Sequence, residues 1–174
     1  MLYAYADIII ILNIIYFVFF STAVGGEKEI KVIGDIMNEH TTEQNLIEQA
    51  LNVRINAYAP YSYFYVGAAL LADSGKIYTG ANAENASYPV GICAERSAFA
   101  QAISVGERSF KMLAIVGGKI NEYPLKNYCS PCGMCRQFIS EFCDEDFKII
   151  LAKSVDDYKI FSLSELLPYS FHEQ

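Results

Sequence analysis

Between residues 41 and 58 the apolar positions Leu46, Ala50, Val53 and Ala57 recur at helical spacing, with Ile47 and Leu51 beside them. This pattern predicts a helix over Thr41–Tyr58, with Thr41 or Thr42 as its cap, Glu43 favouring its first turn and Pro60 stopping it. Tyr65–Ala72 and Lys76–Asn82 flank the turn Asp73–Ser74–Gly75 and read as a two-stranded hairpin. Ala94–Val105 returns to helical spacing and ends before Gly106. Met112–Gly117 is a short apolar run with the character of a buried strand. After a polar loop containing Pro124, Gly133–Cys143 is again helical, and Phe147–Ala152 is a second buried strand. Asp156–Asp157 turns the chain into a short edge strand over Tyr158–Ser162, and Ser164 is the expected cap of a last helix through Leu167. An order of helix, hairpin, helix, strand, helix, strand, strand, helix predicts an α/β sandwich around one mixed sheet.

The 174 residues fit one domain with a proper core, preceded by a segment of different character. Residues 1–36 form an apolar extension ahead of a folded domain over 37–174. Its first two dozen residues are apolar for about the length of a bilayer span, interrupted by Asp7 and Asn13, with 8–24 as the candidate anchor. A membrane anchor, a signal peptide lacking a basic n-region, and an extension upstream of a start at Met37 are three readings of it. Lys28 and Lys31 follow the segment and nothing basic precedes it, so a true anchor would leave the domain in the cytoplasm. A net charge of −7 and the lack of any basic run argue against a nucleic-acid partner and for a small-molecule substrate.

Chemistry concentrates in two places. Cys93, Glu95 and Arg96 open one predicted helix, and Cys132 and Cys135 open another in the run CSPCGMC. A C-x-x-C on a first turn puts both sulfurs on one side, and the helix N-terminal field favours thiolates. If the two helix starts converge, Cys93, Cys132 and Cys135 offer three tetrahedral positions to Zn²⁺ and leave the fourth for water, the catalytic pattern. Glu95, two residues past a ligand and not needed as one, is placed to carry a proton. Zinc with three thiolates bears a net −1 charge, which Arg96 would offset from beside the sulfurs. Two alternatives stay open on spacing alone: a four-cysteine structural site that includes Cys129, and a thioredoxin-like redox pair in CGMC. Cys143 reads as a buried apolar residue, and His40 and His172 as solvated groups near the ends of the domain.

Together these motifs resemble the zinc-dependent cytidine deaminases, in their small homotetrameric nucleoside-acting branch. The similarity runs from about Thr41 to Phe171 through PYSYFYVGAALL (60–71), NAENASYPVGICAERSA (82–98), SPCGMCRQ (130–137) and ELLPYSF (165–171). It implies a three-layer α-β-α sandwich with a mixed five-stranded sheet and one Zn²⁺ per chain on Cys93, Cys132 and Cys135, with Glu95 as the family's proton-shuttling glutamate. It implies hydrolytic deamination of cytidine and deoxycytidine in pyrimidine salvage, by a cytoplasmic homotetramer. Asn82 and Glu84 would hold the ribose hydroxyl. The Ala94 backbone and Glu95 would read the pyrimidine edge, Ala86 and Tyr88 would line the pocket, Phe64 would stack on the base, and Phe171 would close the site from the tail. The NAEN run (82–85) favours a nucleoside over a cytosine-containing antibiotic, and Cys93 stands where polynucleotide-editing deaminases usually carry His. The apolar N-terminal segment, a somewhat extended loop over Ile120–Tyr128 and Ala83 depart from the family pattern.

Overall fold

A computed structural model describes residues 41–171 of the chain. The apolar extension over 1–36, its candidate span 8–24, His40 and His172 therefore lie outside the described residues. Among the described residues no helix is long and apolar enough to cross a membrane.

Nine elements follow the predicted order. They are α1 (Thr42–Arg54), β1 (Tyr65–Ala72), β2 (Ile77–Ala81), α2 (Ala94–Ser104), β3 (Phe110–Gly118), α3 (Gly133–Ile139), β4 (Lys148–Ala152), β5 (Tyr158–Ser162) and α4 (Leu163–Leu166). The strands form one five-stranded sheet in the order β2-β1-β3-β4-β5. It is mixed: β1 is antiparallel to both β2 and β3, β3 is parallel to β4, and β4 is antiparallel to β5. The parallel pair needs a crossover, and α3 lies on it.

Alternation along β1 sorts its side chains onto two buried faces. Ala68, Leu70 and Ala72 join Ala98, Phe99 and Ala102 of α2 and Ile139 of α3 in one cluster. Ala69 and Leu71 join Leu46, Ile47 and Ala50 of α1 in the other. The layers are thus α1, sheet, and α2 with α3. Phe99 is fully buried and meets the rings of Phe110, Phe138, Phe142 and Phe147 at centroid distances of 4.9, 6.1, 6.1 and 6.5 Å. That aromatic knot ties α2 to β3 and α3 and so fixes the two helix starts relative to each other.

Local chemistry sets the ends. Thr41 accepts from the Gln44 amide while the Gln44 side chain accepts from the Thr41 amide, a reciprocal capping box. The first helix stops at Arg54 rather than Tyr58, because Tyr58 instead donates its amide to the Asn82 carbonyl at 2.9 Å. The last helix is capped by Ser162, not Ser164: Ser162 Oγ accepts from the Glu165 amide at 3.2 Å, and Ser164 donates its own amide to the Glu145 carbonyl.

Arg54 is only 4 % exposed. Its guanidinium donates to the carbonyls of Gly118, Lys119 and Glu122 at 3.3, 3.0 and 3.1 Å, anchoring the loop that leads to the second cysteine group. Further along, Leu125 donates its amide to the Lys153 carbonyl at 2.9 Å, and the Tyr128 hydroxyl donates to Asp157. The extended loop is thereby fastened at three points before it reaches Cys129.

Gly80 lets α2 lie directly on β2. A Cβ there would stand 2.3 Å from the Ala94 carbonyl oxygen and 2.4 Å from the Ala98 nitrogen, both backbone atoms. Gly80→Ala is expected to lower stability by about 3 kcal/mol through overpacking. Urea unfolding checks this as a drop in midpoint at constant slope, and an unmoved midpoint would mean that α2 yields freely.

Candidate active site

Both helix starts are made by cysteines. Cys93 is the N-cap of α2 and Cys132 the N-cap of α3, each with extended backbone (φ −78°, ψ 154° and φ −68°, ψ 165°), and neither side chain makes a capping hydrogen bond. The sulfurs, freed from that task, meet across the helix ends: Cys93 Sγ and Cys132 Sγ are 3.9 Å apart. Cys135, in the first turn of α3 and fully buried, completes a group in which all three sulfurs lie within 4.8 Å of one another. Tetrahedral bonds of about 2.3 Å to one zinc place two sulfurs about 3.8 Å apart, so the donor set has the spacing the metal requires. Cys129 is not in this group, which removes the four-cysteine site, and burial pushes its thiol up to about 12.

The electrostatics favour anionic sulfur. Cys93 is lowered to about 5, chiefly by the Cys135 thiol donating to it, with Arg96 and Cys132 adding to the effect. Cys135 is raised in turn, first by that same pairing and then by burial. Arg96 acts on both sulfurs and is raised by them, against its own burial. Its Nη2 also donates to the Gly91 carbonyl at 3.4 Å, and among the described residues its buried Nε has no hydrogen-bond partner. A half-buried guanidinium with an unpaired, buried Nε beside three thiols fits a cluster that carries net negative charge when loaded.

Glu95 is 4 % exposed on the first turn of α2. Burial raises its carboxyl above the usual range and Cys93 adds to this; its own backbone N–H, Cys135 and Arg96 act the other way. Ala94 beside it is fully buried.

A cavity of about 480 Å³ opens over the sulfurs, its wall including Asn82, Glu84, Tyr88, Cys93, Arg96 and Cys132. Tyr61, Ser62, Asn85 and Met134 extend it; the sequence marked Asn85, within the NAEN run, but not the other three. Asn82 and Glu84 prove to be structural as well. Asn82 Oδ1 accepts from the Val66 amide at 2.8 Å and its Nδ2 donates to the Phe64 carbonyl at 3.0 Å. The Glu84 carboxylate accepts the amides of Tyr61 and Ser62 at 2.9 and 3.2 Å and also the Ser62 hydroxyl, which holds its pKa below the ordinary carboxylate range. These bonds fix the turn that carries Phe64, in which Tyr63 takes a left-handed φ of 54°. Phe64 reaches the space above Gly117, where a Cβ would stand 2.9 Å from its ring and 2.6 Å from Cys129 Sγ. Ala86 is exposed near the cavity wall formed by Asn85 and Tyr88. Phe171 is not in that wall; its ring is 78 % exposed on the tail.

A sandwich of this topology with three clustered sulfurs and a buried carboxylate on the same helix start as Cys93 fits a class of metal-dependent hydrolytic enzymes. Comparison with known proteins narrows the class. Residues 40–151 match the family model described as the cytidine and deoxycytidylate deaminase zinc-binding region. The chain is 45 % identical over 131 residues to a cytidine deaminase of Sporosarcina psychrophila, covering 75 % of this chain and 92 % of that one. It is 41 % identical over 139 residues to a probable cytidine deaminase of Dictyostelium discoideum, covering 79 % and 88 %. A crystal structure of cytidine deaminase from Burkholderia pseudomallei superposes with a TM-score of 0.68 at 40 % identity, over 75 % of this chain and all of that one. That of the Mycobacterium tuberculosis cytidine deaminase gives 0.64 at 33 %, over 76 % and 99 %. The chain belongs to the cytidine and deoxycytidylate deaminase family, and its three-cysteine cluster fits one Zn²⁺ per chain.

Proposed function

We propose that the chain hydrolyses the exocyclic C–N bond of cytidine and deoxycytidine, giving uridine and deoxyuridine with release of ammonia, as a step of pyrimidine salvage. The observation that carries this is the convergence of Cys93, Cys132 and Cys135 within 4.8 Å beside the buried Glu95. When bound there, zinc supplies the Lewis acidity that makes water a nucleophile near neutral pH. Glu95 carries one proton of the attacking water to N3, then carries the second, from the resulting C4 hydroxyl, to the departing amine, so that C4 keeps a carbonyl oxygen and the product keeps N3–H. The raised pKa of Glu95 suits a group that must both accept and give. Carbon 4 gains an oxygen and loses its nitrogen as ammonia, and one water is consumed. The Ala94 backbone and Glu95 hold the pyrimidine edge while Phe64 stacks on its face. Asn82 keeps one amide hydrogen beyond the bond to Phe64, and Glu84 is already ionised, so both can meet a ribose hydroxyl without rearranging. Tyr88 lines the wall, and Ala86 would flank the bound nucleoside from beside it.

The substrate is a nucleoside and not a nucleotide. Among the described residues Arg96 is the only basic one in the cavity wall, and it is engaged with the sulfurs and the Gly91 carbonyl, so those residues offer a 5′-phosphate no free cation.

The working form is a homotetramer. Tyr61, Tyr88, Val90 and Met134, close to the cavity mouth, and Tyr169 and Phe171 on the tail are all between 47 and 104 % exposed, a large apolar surface for a chain that acts alone. Phe171 would then close a site across a subunit boundary. The catalytic domain runs over 37–174 and works in the cytoplasm, the extension over 1–36 taking no part in the chemistry. Ammonia release and the fall in absorbance on conversion of cytidine to uridine test the activity, with the 5′-monophosphate as comparison. Both the full chain and one beginning at Met37 are expected to turn over cytidine. No release of ammonia from cytidine by a zinc-loaded full chain would sink the function. Activity confined to the full chain would give the extension a part in it.

A further inference from the structure

Two consecutive residues of α3, outside the metal chemistry, grip the C-terminal segment. Arg136 donates through Nε to the Pro131 carbonyl at 2.8 Å, through Nη2 to Ser130 Oγ at 2.9 Å and through Nη1 to the Leu166 carbonyl at 2.7 Å. One guanidinium thus links the stretch just before Cys132 to the end of α4. Gln137 donates through Nε2 to the Phe171 carbonyl at 2.8 Å and accepts the Phe171 amide on Oε1 at 3.3 Å. Its side-chain amide pairs with the Phe171 backbone as a strand neighbour would. Leu167–Ser170, in which Tyr169 has a left-handed φ of 60°, is therefore pinned at both ends to the helix that carries Cys135. The Phe171 backbone is fixed while its ring stands 78 % exposed.

We propose that Arg136 and Gln137 are positioning residues that preset the reach of Phe171, so that the tail aromatic is ordered before substrate arrives. This rests on the proposal that Phe171 closes a substrate site. A ring delivered on a preformed backbone spares the ordering entropy that a loose tail would forfeit on each binding event, so the effect appears in substrate affinity and not in the chemical step.

The test uses full-length zinc-loaded protein as Gln137→Ala, Gln137→Glu, Phe171→Ala and the Gln137→Ala/Phe171→Ala double variant. Steady-state kinetics on cytidine, zinc content, and hydrogen exchange of the amides of Leu167 and residues 169–171 are measured for each. Phe171→Ala is expected to raise KM, Gln137→Ala to raise it about tenfold with kcat nearly unchanged, and the double variant to go no further than the larger single effect. Gln137→Glu keeps only the acceptor and should fall between Gln137→Ala and the parent. Zinc stays at one per chain, and the tail amides exchange faster whenever Gln137 is replaced. Unchanged tail exchange in Gln137→Ala, zinc loss in that variant, or effects that add in full would overturn the clasp while leaving the role of Phe171 intact. An unchanged KM in Phe171→Ala would remove the ring from the site and the inference with it, and turnover by the parent protein in the same assay would show that deamination itself stands.

Discussion

Glu95→Gln is expected to retain zinc and fold while turnover of cytidine falls by about ten-thousand-fold, the upper range for loss of a positioned acid–base group. The substitution keeps the shape of a side chain that is 4 % exposed, so packing gives little cause for collapse. Glu95 is not one of the three clustered donors, so the metal keeps its ligands. What disappears is a group that can hold a proton in one step and release it in the next. Burial already lifts this carboxyl towards the range where both directions are accessible, and an amide has no such equilibrium. The measurements are kcat, zinc per chain and the unfolding midpoint. A rate within tenfold of the parent, with zinc and midpoint unchanged, would take Glu95 out of the proton path.

Much of this site was legible because its chemistry sits at helix starts, where sequence signals are strongest. Cys93 and Cys132 fall where helical spacing begins, and both prove to be N-caps. The strand Tyr65–Ala72 and the edge strand Tyr158–Ser162 match the predicted bounds because apolar runs flanked by turns leave little freedom. Ends within continuing apolar runs were less legible. The third helix stops at Ile139, although Phe142 and Cys143 beyond it still pack on the core, so the hydrophobic spacing carries on past the helical hydrogen bonds. The Ser162 cap could have been found: Ser162 and Glu165 have the capping-box spacing, whereas Ser164 has no acid or amide three residues on.

Long-range polar partners were beyond reach. Nothing local says that Arg54 will serve carbonyls 64 to 68 positions away, or that Gln137 will pair with a backbone 34 positions on. Asn82 and Glu84 were marked for a ligand, yet their observed partners are the backbone around Phe64. The bonds that build the aromatic's turn come from the residues assigned to the sugar, so the proposed stacking and ribose contacts would share one set of hydrogen bonds. Phe171 lies outside the cavity wall of the single chain.

Cys132→Ala should lose its zinc. Of the three donors Cys132 is the exposed one and lines the cavity, so its removal leaves two sulfurs and opens the site to competing water and chelator. Apparent binding of roughly 10–16 kcal/mol for four-ligand zinc sites suggests about 3 kcal/mol per ligand, or a hundredfold and more in affinity. After dialysis against a chelator the parent is expected to keep close to one zinc per chain and the variant almost none, with turnover lost in step. Cys129→Ala is the matched control, since that sulfur stands only three positions earlier but outside the cluster, and burial keeps it a neutral thiol. It should retain zinc, because Pro131 and the Arg136 contacts hold the approach to Cys132 without help from the Cys129 sulfur. The pair of results separates a three-sulfur site with a free position from a closed four-sulfur one. Zinc retained by Cys132→Ala, or lost from Cys129→Ala, would mean that Cys129 takes part in holding the ion, and the position that water needs would then be filled by protein.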